Sequence, residues 1–139
     1  MRRNLVPRLH VVALSARLPG WAEAACAEYL KRMPRGYEVS WINTKSAKLD
    51  SALKGKGRIV ALDERGKDMT TKQFASLLAA PTAFVIGGPD GLEESVKKDA
   101  SLLLRLSALT LPHALAQVVL LEQIYRAATM RTGHPYHRA

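Results

Sequence analysis

The sequence predicts an α/β fold, a single domain with a mostly parallel sheet and helices on both of its faces. Short apolar runs rich in Val, Ile and Leu alternate with longer stretches of helical periodicity. That order builds β-α-β units and a sheet covered on both sides. No linker, internal repeat or low-complexity segment divides the chain, so residues 1–139 read as one domain.

The elements follow in order. Arg8–Leu14 (RLHVVAL) is a Val- and Leu-rich strand closed by Leu18-Pro19-Gly20. From Trp21 to Met33, Trp21, Ala24, Ala25, Tyr29 and Met33 fall near helical spacing, and Pro34 stops the helix. Tyr37–Asn43 alternates and suits a strand. Thr44–Lys56 is basic, with Leu49 and Leu53 four apart, enough for one short helix. Arg58–Leu62 (RIVAL) is a strand and Asp63–Asp68 (DERGKD) a polar loop. Thr70 or Thr71 caps a helix to about Ala79, with Phe74, Leu77 and Leu78 inward. Thr82–Ile86 (TAFVI) is a buried strand and Gly87–Gly91 a loop. A charged helix runs from about Glu93 to Leu102. Leu106–Leu111 is the fifth strand, and Pro112 opens the longest helix, Ala114 to about Met130.

The charge is uneven. The net formal charge is +9, and residues 1–60 hold 12 Lys/Arg against 4 Asp/Glu, while residues 61–139 are nearly balanced. A basic first half suits an anionic partner, of which nucleic acid is the commonest. One cysteine, Cys26, excludes an intrachain disulfide and a cysteine-rich zinc module; on its Ala-rich helix it reads as a buried small hydrophobe. No apolar run reaches the roughly 18–20 residues that span a bilayer. The basic start lacks a signal-peptide pattern, so a cytosolic protein is expected.

Three segments carry the candidate chemistry. Gly87-Gly-Pro-Asp-Gly91 follows a buried strand, where open α/β sheets bind ligands, and it matches neither a dinucleotide fingerprint nor a Walker A loop. Read alone, it is as much a structural turn as a ligand loop. Leu106-Ser-Ala-Leu-Thr-Leu-Pro-His113 runs a strand bearing Ser107 and Thr110 into a histidine at a helix start. Thr132–Arg138 gathers His134, Tyr136, His137 and Arg138. Arg presents a planar fork for phosphate and Tyr a face for a base, a pairing suited to RNA. His134 and His137 are three apart, but no Cys or carboxylate in the tail completes a metal site, so no metal is expected.

Together, IGGPDGL (86–92), LSALTLPH (106–113), LLEQIYRA (120–127) and HPYHR (134–138), in that order and spacing, resemble the ribosomal large subunit methyltransferase H family (RlmH, or YbeA-like) of the SPOUT class. The resemblance covers Arg8 to Arg138. It implies methylation of N3 of a pseudouridine in 23S ribosomal RNA, with S-adenosylmethionine, by a cytoplasmic homodimer acting on the assembled ribosome. It implies a C-terminal trefoil knot, which the general rarity of knots would otherwise exclude. It assigns the cofactor to Leu62, Gly87, Gly88, Leu106, Ser107, Ala108, Leu109, Thr110 and Leu111. The HPYHR tail then crosses the dimer to complete the partner's site. In that site Arg138 orients the base and stabilises anionic charge, Tyr136 stacks on or hydrogen-bonds the base, and His113 or His137 accepts the proton. The sulfonium is already an activated methyl donor, so no metal is implied.

Two departures from the family accompany this. The segment between Asn43 and Arg58 is shorter than usual, which alters substrate docking. Gln117 stands where an arginine is usual, so one positive contact to RNA, or one structural ion pair, is missing. The dimer is also suggested by the last helix, apolar on several sides through Leu115, Val118, Val119, Leu120, Leu121, Ile124 and Tyr125. The competing readings are a non-catalytic ribosome-binding or assembly factor, which the shortened basic segment favours, and another nucleotide-binding α/β enzyme, which lacks its phosphate-cradling motif.

Overall fold

A computed structural model describes residues 8–15 and 17–138, the last two by their backbone alone. Five parallel strands form one sheet in the order β2-β1-β4-β3-β5: β1 Leu9–Ala13, β2 Val39–Asn43, β3 Arg58–Asp68, β4 Thr82–Ile86 and β5 Leu102–Arg105. The helices between them are α1 (Gly20–Arg32), α2 (Leu49–Leu53), α3 (Thr71–Ser76), α4 (Glu94–Asp99) and α5 (His113–Thr132). Parallel strands are buried on both faces, so the pleat sends alternate residues into two cores. Val11, Val60, Phe84 and Ile86 join the larger one, to which α1, α3 and α5 contribute. Val12, Ala61, Ala83 and Val85 join the smaller one with Leu49, Leu53 and Leu92. The helices therefore lie on both faces, as the sequence predicts.

Thr70 is the cap of α3. Its hydroxyl accepts from the Gln73 N–H, and the Gln73 side chain accepts from the Thr70 N–H, a closed capping box. Cys26 is fully buried in α1, and desolvation pushes its thiol up to about 11, so it packs as a hydrophobe.

Three expected boundaries are corrected. Asp63–Asp68 is not a loop but the continuation of β3. Leu62 and Lys67 both face Leu104, so residues 63–66 bulge from the ladder, and a Cβ on Gly66 would stand 2.6 Å from the Leu104 carbonyl carbon. This stretch reaches past the core, where no apolar alternation is required. The charged helix ends at Asp99, because Ala100 is extended, and Leu102–Arg105 is the fifth strand. Leu106–Leu111, read as that strand, is irregular backbone. Its residues line a cleft, with Leu106 also packed against the larger core.

His10 sits 9% exposed on β1, its Nδ1 2.7 Å from Ser40 Oγ. Burial, and then the nearby Lys56 charge, hold its imidazole below the ordinary value of 6.5. The unfolded chain therefore takes up this proton first. The stability is present above pH 6.5 and is lost as the pH falls through the lowered value. The melting temperature is expected to drop as the pH falls below about 6.5, and His10→Gln to flatten that drop. An unchanged slope in calorimetric scans of the variant would exclude His10 as its source.

Candidate functional site

All strands point the same way, so the segments leaving β3, β4 and β5 converge at one edge of the sheet, where open α/β sheets hold ligands. There they enclose a cleft of about 860 Å³. The cleft brings together all nine residues assigned to the cofactor: Leu62 from β3, Gly87 and Gly88 after β4, and Leu106, Ser107, Ala108, Leu109, Thr110 and Leu111 after β5. His113, the first residue of α5, also lines it.

Backbone makes much of this wall. Gly87 is required by its own loop: a Cβ there would lie 2.6 Å from the Gly91 carbonyl carbon, and the Gly91 N–H donates to the Gly88 carbonyl at 2.9 Å. A Cβ on Gly88 would run into the Leu14 carbonyl oxygen. These glycines permit backbone to approach backbone, which is what closes the loop. On the opposite wall the Ser107 hydroxyl accepts from the Leu109 N–H at 3.0 Å and shapes the turn, leaving Leu109 78% exposed at the rim.

The cleft also holds charges that the sequence reading missed. Asp63, Glu64, Arg65, Lys97 and Arg105 line it. Lys97 Nζ lies 3.3 Å from Asp63. Arg105 Nε donates to Asp68 at 2.6 Å in a forked pair that clamps β5 to the end of β3 and holds the Asp68 carboxyl below its usual range, chiefly through that hydrogen bond. DERGKD read as a loop hid this wall; its place directly after an apolar strand was the available signal.

The tail lies elsewhere. Gly133, at φ +79°, ends α5 in the left-handed conformation open to glycine, and the His134 N–H returns to the Thr129 carbonyl at 2.9 Å. Pro135–Arg138 forms a single 3-10 turn. The Tyr136 hydroxyl donates to Glu122 at 2.9 Å, Arg126 binds the same carboxylate and lies over the Tyr136 ring, and the Tyr125 ring is 4.5 Å away. Burial and hydrogen bonds to Tyr29 and Glu122 push the Tyr136 phenol far up, so it is no acid or base at neutral pH. Glu122 is nine residues along α5 from His113, a rise of about 14 Å, and Tyr136 does not line the cleft of its own chain. The side chains of His137 and Arg138 lie outside the described residues.

Gln117 is fully buried, which removes it from the surface where an RNA contact would sit. On α5, Leu120, Leu121, Ile124 and Tyr125 belong to the chain's own core, so four residues offered as evidence of an interface are internal. Leu115, Val118 and Val119 remain half-buried along one stripe that runs toward Glu122 and Arg126. No helix is long and apolar enough to cross a membrane, and no group of three His, Cys, Asp or Glu residues with metal-site geometry occurs among the described residues.

Known proteins resemble this chain over most of its length. The family model described as predicted SPOUT methyltransferase matches residues 8–137. The ribosomal RNA large subunit methyltransferase H of Burkholderia mallei (strain SAVP1) is 42% identical over 155 residues, covering 95% of this chain and 99% of its own. Its Burkholderia thailandensis counterpart matches equally. Among solved structures, the "probable methylase family protein" of Haemophilus influenzae Rd KW20 superposes with a TM-score of 0.66 at 12% identity, over 94% of this chain and 70% of that one. The SpoU methyltransferase AviRb from Streptomyces viridochromogenes, in complex with AdoMet, does so with 0.57 at 15% identity, over 93% and 60%. At such identities the superpositions establish the fold alone.

Proposed function

The chain belongs to the SPOUT methyltransferase family, and from that premise we propose that it is a single-domain, cytoplasmic S-adenosylmethionine-dependent enzyme that methylates large-subunit (23S) ribosomal RNA at N3 of a pseudouridine, as a homodimer on the assembled ribosome. The observation that carries this is the convergence of Leu62, Gly87–Gly88 and Leu106–Leu111 on one cleft. Under this reading residues 86–92 and 106–113 are the loops of a trefoil knot.

The donor set fits the cofactor. Leu62, Leu106 and Leu109 offer apolar surface to an adenine, the backbone between Leu106 and Leu111 offers paired donors and acceptors, and Thr110 with the carboxylates of Asp63 and Glu64 suits hydroxyl and ammonium groups. S-adenosylmethionine, when bound, supplies a methyl group activated by its positive sulfur. The residues then have to hold the imide nitrogen within a near-attack distance of about 3–3.5 Å of that methyl and remove its proton. Among the described side chains His113 is the histidine that lines the cleft, which supports it as the acceptor, with His137 as the alternative. Charge on the base is met by Arg138.

Two features support a homodimer with a shared site. Tyr136 is held away from its own cleft, and the half-buried stripe of Leu115, Val118 and Val119 ends beside the tail. The basic first half supplies phosphate contacts, which set affinity and its salt dependence.

Incubation of the purified protein with methyl-labelled S-adenosylmethionine and ribosomes, followed by mass spectrometry of the digested RNA, tests the reading. The expected product is one methylated pseudouridine in the large-subunit RNA. Cofactor binding with no methyl transfer to ribosomes or free RNA would favour the non-catalytic factor.

A further inference from the structure

Gln117 lies on the second turn of α5, fully buried, and its carboxamide is used at both ends. The Trp41 indole Nε1–H of β2 donates to Gln117 Oε1 at 3.0 Å, and Gln117 Nε2 donates to Ser15 Oγ at 3.2 Å. Ser15 Oγ in turn donates to Asn43 Oδ1 at 2.7 Å. A buried amide left half-paired is costly, so this chain of bonds fixes the separation of the pieces it joins.

Those pieces are the supports of the two cleft walls. Ser15 follows Leu14, whose N–H donates to the Ile86 carbonyl at 2.8 Å and whose own carbonyl stands where a side chain on Gly88 would go. The glycine loop is therefore backed by Leu14, to which Ser15 is joined directly along the chain. On the other side, the turn of α5 that precedes and includes Gln117 presents His113 and Ala116 to the cleft and anchors the end of the Leu106–Leu111 segment. One side chain thus ties the backing of one wall to the helix that ends the other.

We propose that Gln117 is a positioning residue that sets the width of the cleft between the Gly87–Gly88 loop and the Leu106–His113 wall, and so tunes cofactor affinity without touching the cofactor. An arginine at this position would bring only donors, and could not accept from Trp41. The glutamine, with one acceptor and one donor end, matches the partners this chain presents. The inference rests on the cofactor reading of the cleft.

Gln117→Met keeps the length and removes both bonds, and Ser15→Ala removes the Gln117–Ser15 bond, together with the Ser15–Asn43 bond behind it, from outside the core. Binding of S-adenosylmethionine by calorimetry and steady-state methyl transfer are measured on the wild type, both variants and the double variant. Gln117→Met is expected to raise the cofactor Kd and KM about tenfold while kcat at saturating cofactor changes by less than about twofold. Ser15→Ala should shift Kd the same way by less, and the double variant should fall short of the sum of the two, because the residues share one bond. A lower Tm with unchanged Kd in both variants, or additive effects, overturns the proposal. If Gln117→Met does not fold, an unchanged Kd in Ser15→Ala does so alone. Failure of the wild type to bind S-adenosylmethionine would instead sink the cofactor reading itself.

Discussion

Gly87→Val is expected to weaken S-adenosylmethionine binding by about 100-fold while the chain stays folded. The new Cβ would lie within 3 Å of the Gly91 carbonyl carbon, Cα and oxygen, all of them backbone, so no side chain can swing aside. The loop must open, and the Gly91-to-Gly88 hydrogen bond opens with it. Forcing extra methyl groups into a closed arrangement costs about 1–3 kcal/mol. In the free protein an end-of-strand loop relieves that strain by moving outward, since Ile86 and the strand behind it remain buried between the two cores. Binding has to bring the loop back, and about 2.7 kcal/mol is a factor of about 100 in affinity. Calorimetric titration with the cofactor beside a circular dichroism melt separates the two quantities. Wild-type affinity in a folded Gly87→Val protein would remove this loop from the cofactor site.

What could be read from the chain before its structure divides along a physical line. Buried segments announce themselves: TAFVI and HVVA carry apolar side chains to both faces, and no other arrangement of a parallel sheet buries them. Thr70 with Gln73 carries its cap in the sequence. Segments built for the cleft gave false signals. Leu106–Leu111 is rich in apolar residues because it lines a cavity, so its pattern imitates a strand, while the true strand Leu102–Arg105 fell across the expected helix end at Leu102 and the short gap after it. DERGKD is polar and yet part of β3: Asp63–Gly66 bulge outward, and Lys67 and Asp68 rejoin β5. Gln117 shows the limit from the other side. Its absent positive charge was legible, but its partners Trp41 and Ser15 lie 76 and 102 residues away along the chain, and no local pattern links them.

The tail carries the largest expected effect on catalysis. Arg138→Ala is expected to leave melting temperature and cofactor affinity unchanged while methyl transfer to ribosomes falls by about 10²–10³, the usual consequence of deleting one preorganised group aimed at developing charge. Deleting residues 136–139 should cost at least as much in rate. It should also lower stability somewhat, since Tyr136 closes a cluster with Glu122, Arg126 and Tyr125. That cluster is the reason to expect action on the partner's site: it fixes the tail's ring and hydroxyl to α5, away from the cleft of the same chain. A mixed dimer decides the matter. Chains carrying Gly87→Val have a damaged cleft and an intact tail; chains truncated after Pro135 have the reverse. At cofactor concentrations near the wild-type Kd each homodimer should be nearly inactive, and coexpression should restore methyl transfer, because the intact cleft receives the tail of the other chain. Coexpressed chains that stay inactive, while sedimentation shows the mixed dimer to be present, would place the tail's action within its own chain. A folded Arg138→Ala protein that methylates at the wild-type rate would leave the tail as ordinary terminal chain.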